Sequence, residues 1–214
     1  MRAEQPVGTR GSLKWIQRAV ERRPDLLSLD GLGPVQWLSP LREDGFAEYR
    51  DAAFLERIGC GRLKDELAGF WPARGPQWDA LGRAGETVVL VEAKAHLREV
   101  LSPASQASPA SREKINLAFA TVKRELKVRD GANWAEVFFQ YANRLAHLWF
   151  LRNSGVEAKL VFVDFLHDIE MGGPENPAEW EAVYLAADYA LGLPRRHVLE
   201  RHVHHLFPDV RELA

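Results

Sequence analysis

The chain has 214 residues, of which 46% are hydrophobic and 27% charged, enough for one full domain with additions or two very small ones. Thirty acidic against 28 basic residues leave a formal charge of −2, which argues against a polycationic nucleic-acid binder while leaving room for a local basic groove. A lone cysteine, Cys60, argues against a disulfide framework and a cysteine-based zinc site, and fits a reducing compartment.

Residues 1–11 are polar and hold no apolar run of signal-peptide length, and nothing approaches the roughly 20 apolar residues of a membrane span. A soluble, cytoplasmic protein is expected. From Ser12, a plausible cap, Leu13, Trp15, Ile16, Ala19 and Val20 share one helical face, and the helix should end before Pro24. Gly31-Leu32-Gly33-Pro34 reads as a turn. Helical spacing returns over 46–58 and 63–70, until Pro72, Gly75 and Pro76 break the chain.

Residues 77–81 are short and extended, 82–86 carry turn chemistry, and 87–95 form a β-branched run, so a hairpin should lead into a central strand. The Ser- and Pro-rich stretch 102–111 reads as a loop. Helices are expected over 112–127 and 134–153, the second opened by Asn133 and Glu136 in capping-box-like spacing. A strand over 158–166, a helix over 176–191 and a charged, His-rich tail complete the chain. Two strong strands separated by a helical crossover predict a mixed α/β sheet covered by helices on both faces.

The 87–95 strand carries the chemistry. Residues two apart point the same way, so one face holds Val88, Leu90, Glu92 and Lys94, and the other Val89, Val91, Ala93 and Ala95. The second face is core-like throughout. The first ends on two opposite charges, which are costly to desolvate without a ligand, metal or partner. Asp79 precedes Glu92 by 13 residues. If residues 84–87 form a four-residue connection, Arg83 pairs with Val88, Leu81 with Leu90, and Asp79 with Glu92. Directly opposed carboxylates repel, and a hard divalent cation, Mg²⁺ or Mn²⁺, would turn the pair into a chelate. Lys94, next on the same face, could orient water or stabilise phosphoryl charge. The structural alternative is a cross-strand salt bridge at a sheet end.

Trp78-Asp79, a hairpin and Val91-Glu92-Ala93-Lys94 resemble the PD-(D/E)XK nuclease superfamily in its Glu-x-Lys form, with Trp78 where proline is usual. The resemblance covers about residues 46–166. It implies a restriction-endonuclease-like mixed sheet flanked by helices, within a single domain over 1–214. Residues 1–45 would be an N-terminal helical extension and 167–214 a C-terminal helical appendage. It further implies Mg²⁺-dependent phosphodiester hydrolysis, with Asp79 and Glu92 as metal ligands and Lys94 as the catalytic lysine. Many members add a glutamate from the helix before the hairpin; Glu66 is the first candidate here and Glu56 the alternative. The expected partner is nucleic acid, DNA first, with no membrane and a homodimer left open. Where one branch of the superfamily carries Gln-x-x-x-Tyr, this chain has Gln140 and Arg144; with His147 they could line a groove from one helix face.

A second copy of the same four letters, Val156-Glu157-Ala158-Lys159, lies at a strand start without an aspartate hairpin, where charges are expected to be solvated. Arg112, Lys114, Lys123, Arg124, Lys127 and Arg129 make 112–129 basic, either as a solvated face or as a backbone track. His197, His202, His204 and His205 lack the four-residue helical spacing of a metal pair, so local packing is expected of them. Asp164 is either a hydrogen-bonded core group or a second polar group facing the cleft. No Walker-type glycine loop or Gly-x-Ser-x-Gly elbow is present. The competing expectation is a non-catalytic interaction or nucleic-acid-binding protein on this fold, which the mild acidity favours.

Overall fold

A computed structural model describes residues 1–214. In chain order the main elements are β1 (Arg2–Ala3), α1 (Gly11–Arg22), β2 (Gln36–Ser39), β3 (Glu48–Tyr49), α2 (Ala52–Arg57), α3 (Lys64–Phe70), β4 (Ala80–Ala84) and β5 (Thr87–Lys94). They continue with α4 (Pro109–Leu126), α5 (Phe139–Asn153), β6 (Ala158–Asp164), α6 (Pro177–Ala190) and β7 (Val203–Leu206). Five strands form one mixed sheet in the order β2-β4-β5-β6-β7; β2, β4 and β5 run antiparallel, and β5, β6 and β7 parallel. β1 and β3 pair separately.

The alternation along β5 sorts the helices. Val88 and Leu90 face a large core with Leu160 and Phe162, covered by residues of α2 to α6. Val89, Val91 and Ala93 face a smaller core with Val161 and Val163, covered by Trp15, Ile16, Ala19 and Val20 of α1. Helices therefore cover both faces of the sheet, as the crossover pattern predicts. The hairpin between β4 and β5 closes on Gly85-Glu86, with Gly85 at φ 56°, the left-handed geometry that two-residue hairpins favour. At Gly82 a side chain would meet Val35 Cγ1 at 2.5 Å, so glycine is what lets β2 approach β4.

Several boundaries are corrected. Residues 1–45 and 167–214 are not helical additions to a core over 46–166, because they supply β2 and β7, the two edges of the same sheet. Both strands are four residues long, and Val203-His204-His205-Leu206 has no clean polar–apolar alternation to read. The expected 46–58 helix shrinks to α2, since Phe46 and Asp51 adopt positive φ and Glu48–Tyr49 pairs with β1. The expected 134–153 helix starts at Phe139, because Phe138 is left-handed and the buried Trp134 indole donates to Leu191 O at 2.8 Å. Asn133 Oδ1 serves Ala135 N in a turn instead of capping the helix. Ser12 does not cap α1, whose N-cap position is Arg10. No helix is long and apolar enough to cross a membrane.

Candidate active site

The ladder between β4 and β5 pairs Arg83 with Val88, Leu81 with Leu90 and Ala80 with Val91 and ends there, so the expected Asp79–Glu92 cross-strand pair does not form and Asp79 lies in a bend just before β4. Asp79 N donates to Val91 O at 3.2 Å, and Asp79 Oδ2 accepts from Ala93 N at 2.7 Å. Glu92 and Lys94 follow Leu90 on the large-core face, at the C-terminal end of the parallel strands, where open α/β sheets form their ligand crevices.

Glu92 is almost fully buried, and both of its oxygens are engaged. Oε1 accepts from Lys94 Nζ, and Oε2 from Arg144 Nε at 2.6 Å. Arg144 also donates to Gln77 O at 2.9 Å and Asn143 Oδ1 at 2.8 Å, and lies 4.9 Å over the Trp78 ring. Burial pushes the Glu92 carboxyl up, but Arg144 and Lys94 outweigh it and hold the group below its ordinary value. Burial pushes Lys94 down, and Glu92 with Asp79 holds it above the usual ammonium value. Asp79 has no ion-pair partner, and burial together with the Glu92 charge raises it well above the carboxylate range. Glu48 is raised by burial, opposed by Gln77 Nε2, which donates to it at 2.5 Å, while the Glu92 charge adds to the rise.

Asp79, Glu92 and Lys94 line one cleft of about 660 Å³, with Glu48, Gln77, Arg98, Gln140 and Arg144 on its walls. Glu66 and Glu56 are exposed on α3 and α2, and neither lines it. The carboxylate that joins the pair is Glu48, from β3. The sequence signal for it was faint: a single acid inside the apolar run Phe46-Ala47-Glu48-Tyr49. Gln140 and Arg144 reach the cleft one turn apart on α5. His147 does not; it is buried against Trp71 with a ring separation of 4.9 Å, and Nδ1 donates to Asn143 O at 2.9 Å. Asp164 also stays out of the cleft, fully buried, accepting from Tyr184 Oη at 2.8 Å and His205 Nδ1 at 2.9 Å.

Most of the basic 112–129 segment is tied down. Arg112, Lys114, Lys123 and Arg129 donate to the carbonyls of Ser105, Ala68, Ala132 and Tyr189, which makes them tethers of α4 more than a free cationic track. In the second copy, Glu157 is exposed and pairs with Arg152 at 3.0 Å.

For a metal the donors suit a hard cation chemically, since four carboxylates, Glu48, Asp79, Glu92 and Glu99, line the cleft with only two buried cations, Lys94 and Arg144. Asp79 Oδ1 and Glu48 Oε1 accept no hydrogen bond from the protein, whereas Glu92 is fully occupied. No group of three His, Cys, Asp or Glu side chains converges closely enough to chelate an ion as the side chains stand. No protein-family model, curated protein or solved structure matches the chain.

Proposed function

We propose that this cleft hydrolyses nucleic-acid phosphodiesters with Mg²⁺ or Mn²⁺, on a restriction-endonuclease-like fold. The observation that supports the reading is that Asp79, held to Ala93 N and without an ion-pair partner, shares one cleft with Glu92 and Lys94. Asp79 and Glu92 would hold the cation, with Glu48 as the third carboxylate. The raised values of Asp79 and Glu48 mark surplus negative charge that a cation relieves. When bound, such an ion polarises a phosphoryl oxygen and makes its water more acidic.

The chain's own groups supply the rest. The Lys94 ammonium, steadied by Glu92 and by Gln140 Oε1 at 3.4 Å, can donate to a non-bridging phosphate oxygen. Arg144 fixes the Glu92 carboxylate through Oε2 and is a positioning residue. The exposed Arg98 on the cleft rim offers a contact for the substrate backbone. DNA is the first substrate to test. The double engagement of Glu92 by Lys94 and Arg144 favours a second reading, a binding module in which resident cations have taken the metal's place.

Calorimetric titration with Mn²⁺, followed by cleavage of plasmid and single-stranded DNA, separates the two. Asp79→Asn keeps an oxygen for Ala93 N while removing the charge, so it should fold, lose Mn²⁺ binding and lose cleavage. Glu157→Gln should leave both intact. Wild type that binds no Mn²⁺ even with DNA present overturns the nuclease reading in favour of the binding module.

A further inference from the structure

The second Glu-x-Lys copy and the His-rich tail meet at a place the cleft does not use. Lys159 is the second residue of β6, and His204 belongs to β7 beside it, on the small-core face. Lys159 Nζ lies 2.8 Å from His204 Nε2, so the ammonium donates to an imidazole instead of a carboxylate. Arg152 at the end of α5 donates to Ala158 O at 3.3 Å, next to Lys159, and Arg201 and His202 immediately precede β7. The only acid among them is Glu157, largely exposed and already paired with Arg152. Lys159 and Arg201 have no ion-pair partner. Three cations and two imidazoles thus gather at this end of β6 and β7 with a single carboxylate among them, at the opposite end of the sheet from Asp79 and Glu92.

We propose that Arg152, Lys159, Arg201, His202 and His204 form a binding patch for a phosphate group, free or within a nucleic-acid backbone. A lysine head hydrogen-bonded to a neutral imidazole has no counter-charge, and an anion that accepts from the ammonium supplies one. Phosphate suits the set because its several oxygens can be shared among ammonium, guanidinium and imidazole donors, where a carboxylate offers two. Burial and the surrounding cations agree with this crowding. His202 is pushed down to about 4 by burial, Arg152, Arg201 and Lys159, against Glu157. His204 is lowered by burial, Lys159 and His205. A bound phosphate offsets these cations, so binding takes up protons at the two imidazoles and tightens as pH falls. The inference is independent of the reading of the cleft.

Imidazole NMR spectra of the full chain, titrated with inorganic phosphate at constant ionic strength against chloride, test it. The His202 and His204 signals should move saturably while His197, on the other face, stays still. Lys159→Gln and Arg201→Ala, both at accessible positions, should each weaken binding about fivefold. A short single-stranded oligonucleotide that moves the same signals assigns the phosphate to a backbone; one that leaves them still assigns it to free phosphate. Signals that respond equally to chloride, do not saturate, or titrate with wild-type affinity in both variants overturn the proposal.

Discussion

Val91-Glu92-Ala93-Lys94 and Val156-Glu157-Ala158-Lys159 spell the same four residues on neighbouring parallel strands, yet the sheet treats them in opposite ways. Val88 pairs with Ala158 and Glu92 with Phe162, so one copy ends its strand and the other begins its own. Their faces are inverted as well. Glu92 and Lys94 share the large-core face with Leu90, whereas in the second copy Ala158 takes that face. The Glu92 side chain is 4% exposed and that of Glu157 66%. A tripeptide therefore carries no function by itself; depth along the strand and phase relative to the core decide whether its charges become a site or a solvated rim.

The sharpest way to break this contrast is Glu92→Ala. It strands Arg144 as a buried cation without an ion-pair partner and leaves Lys94 only the Asp79 carboxylate, so unfolding by denaturant should show a loss of about 3–5 kcal/mol. A loss below about 1 kcal/mol would mean that water reaches the pair freely and that burial does not distinguish the copies.

A second test probes the dry environment that α5 builds behind the first copy. His147 lies three residues beyond Arg144, and burial lowers its imidazole to about 3 from the ordinary 6.5. The unfolded chain takes up that proton first. The contribution of neutral His147 is therefore complete above the ordinary imidazole value and erodes as pH falls towards about 3, by up to about 1.4 kcal/mol per pH unit. Stability curves between about pH 6 and pH 4 should be flatter for His147→Gln than for wild type. Identical slopes would show that the imidazole is hydrated. At the small end, Glu157→Ala removes an exposed pair with Arg152 and should cost less than about 1 kcal/mol in the same denaturation assay.

The site was legible where local rules act. The two-residue hairpin and period-2 alternation suffice for the register from Ala84 to Ala80 and for putting Glu92 and Lys94 on one side, but the ladder ends before Asp79, which reaches the cleft from a bend. Glu48 and Arg144 were harder to assign, for different reasons. Glu48 lies in a segment whose apolar spacing reads as helix but which pairs with Arg2–Ala3, a partner 45 residues away. Gln140 and Arg144 read as one helix face, but that Arg144 closes on Glu92 depends on how α5 crosses the sheet. His147 shares that helix face by spacing, yet it turns into the aromatic cluster of Phe54, Phe70 and Trp71.

Local patterning suffices for the α/β class, the helical crossover between the two central strands, the hairpin register from Ala84 to Ala80 and the alternation that leaves Glu92 and Lys94 at the end of an otherwise apolar face. These follow from contacts between residues close in the chain, whose geometry is set by backbone period and turn length. Long-range packing is what makes the first and last segments the sheet's edges, brings Glu48 and not Glu66 to the carboxylates, and lets Arg144 and Lys94 share Glu92. Those outcomes depend on pairings across tens of residues, where short edge strands and single charged side chains leave no periodic trace and the choice falls to burial and charge neutralisation within the assembled core.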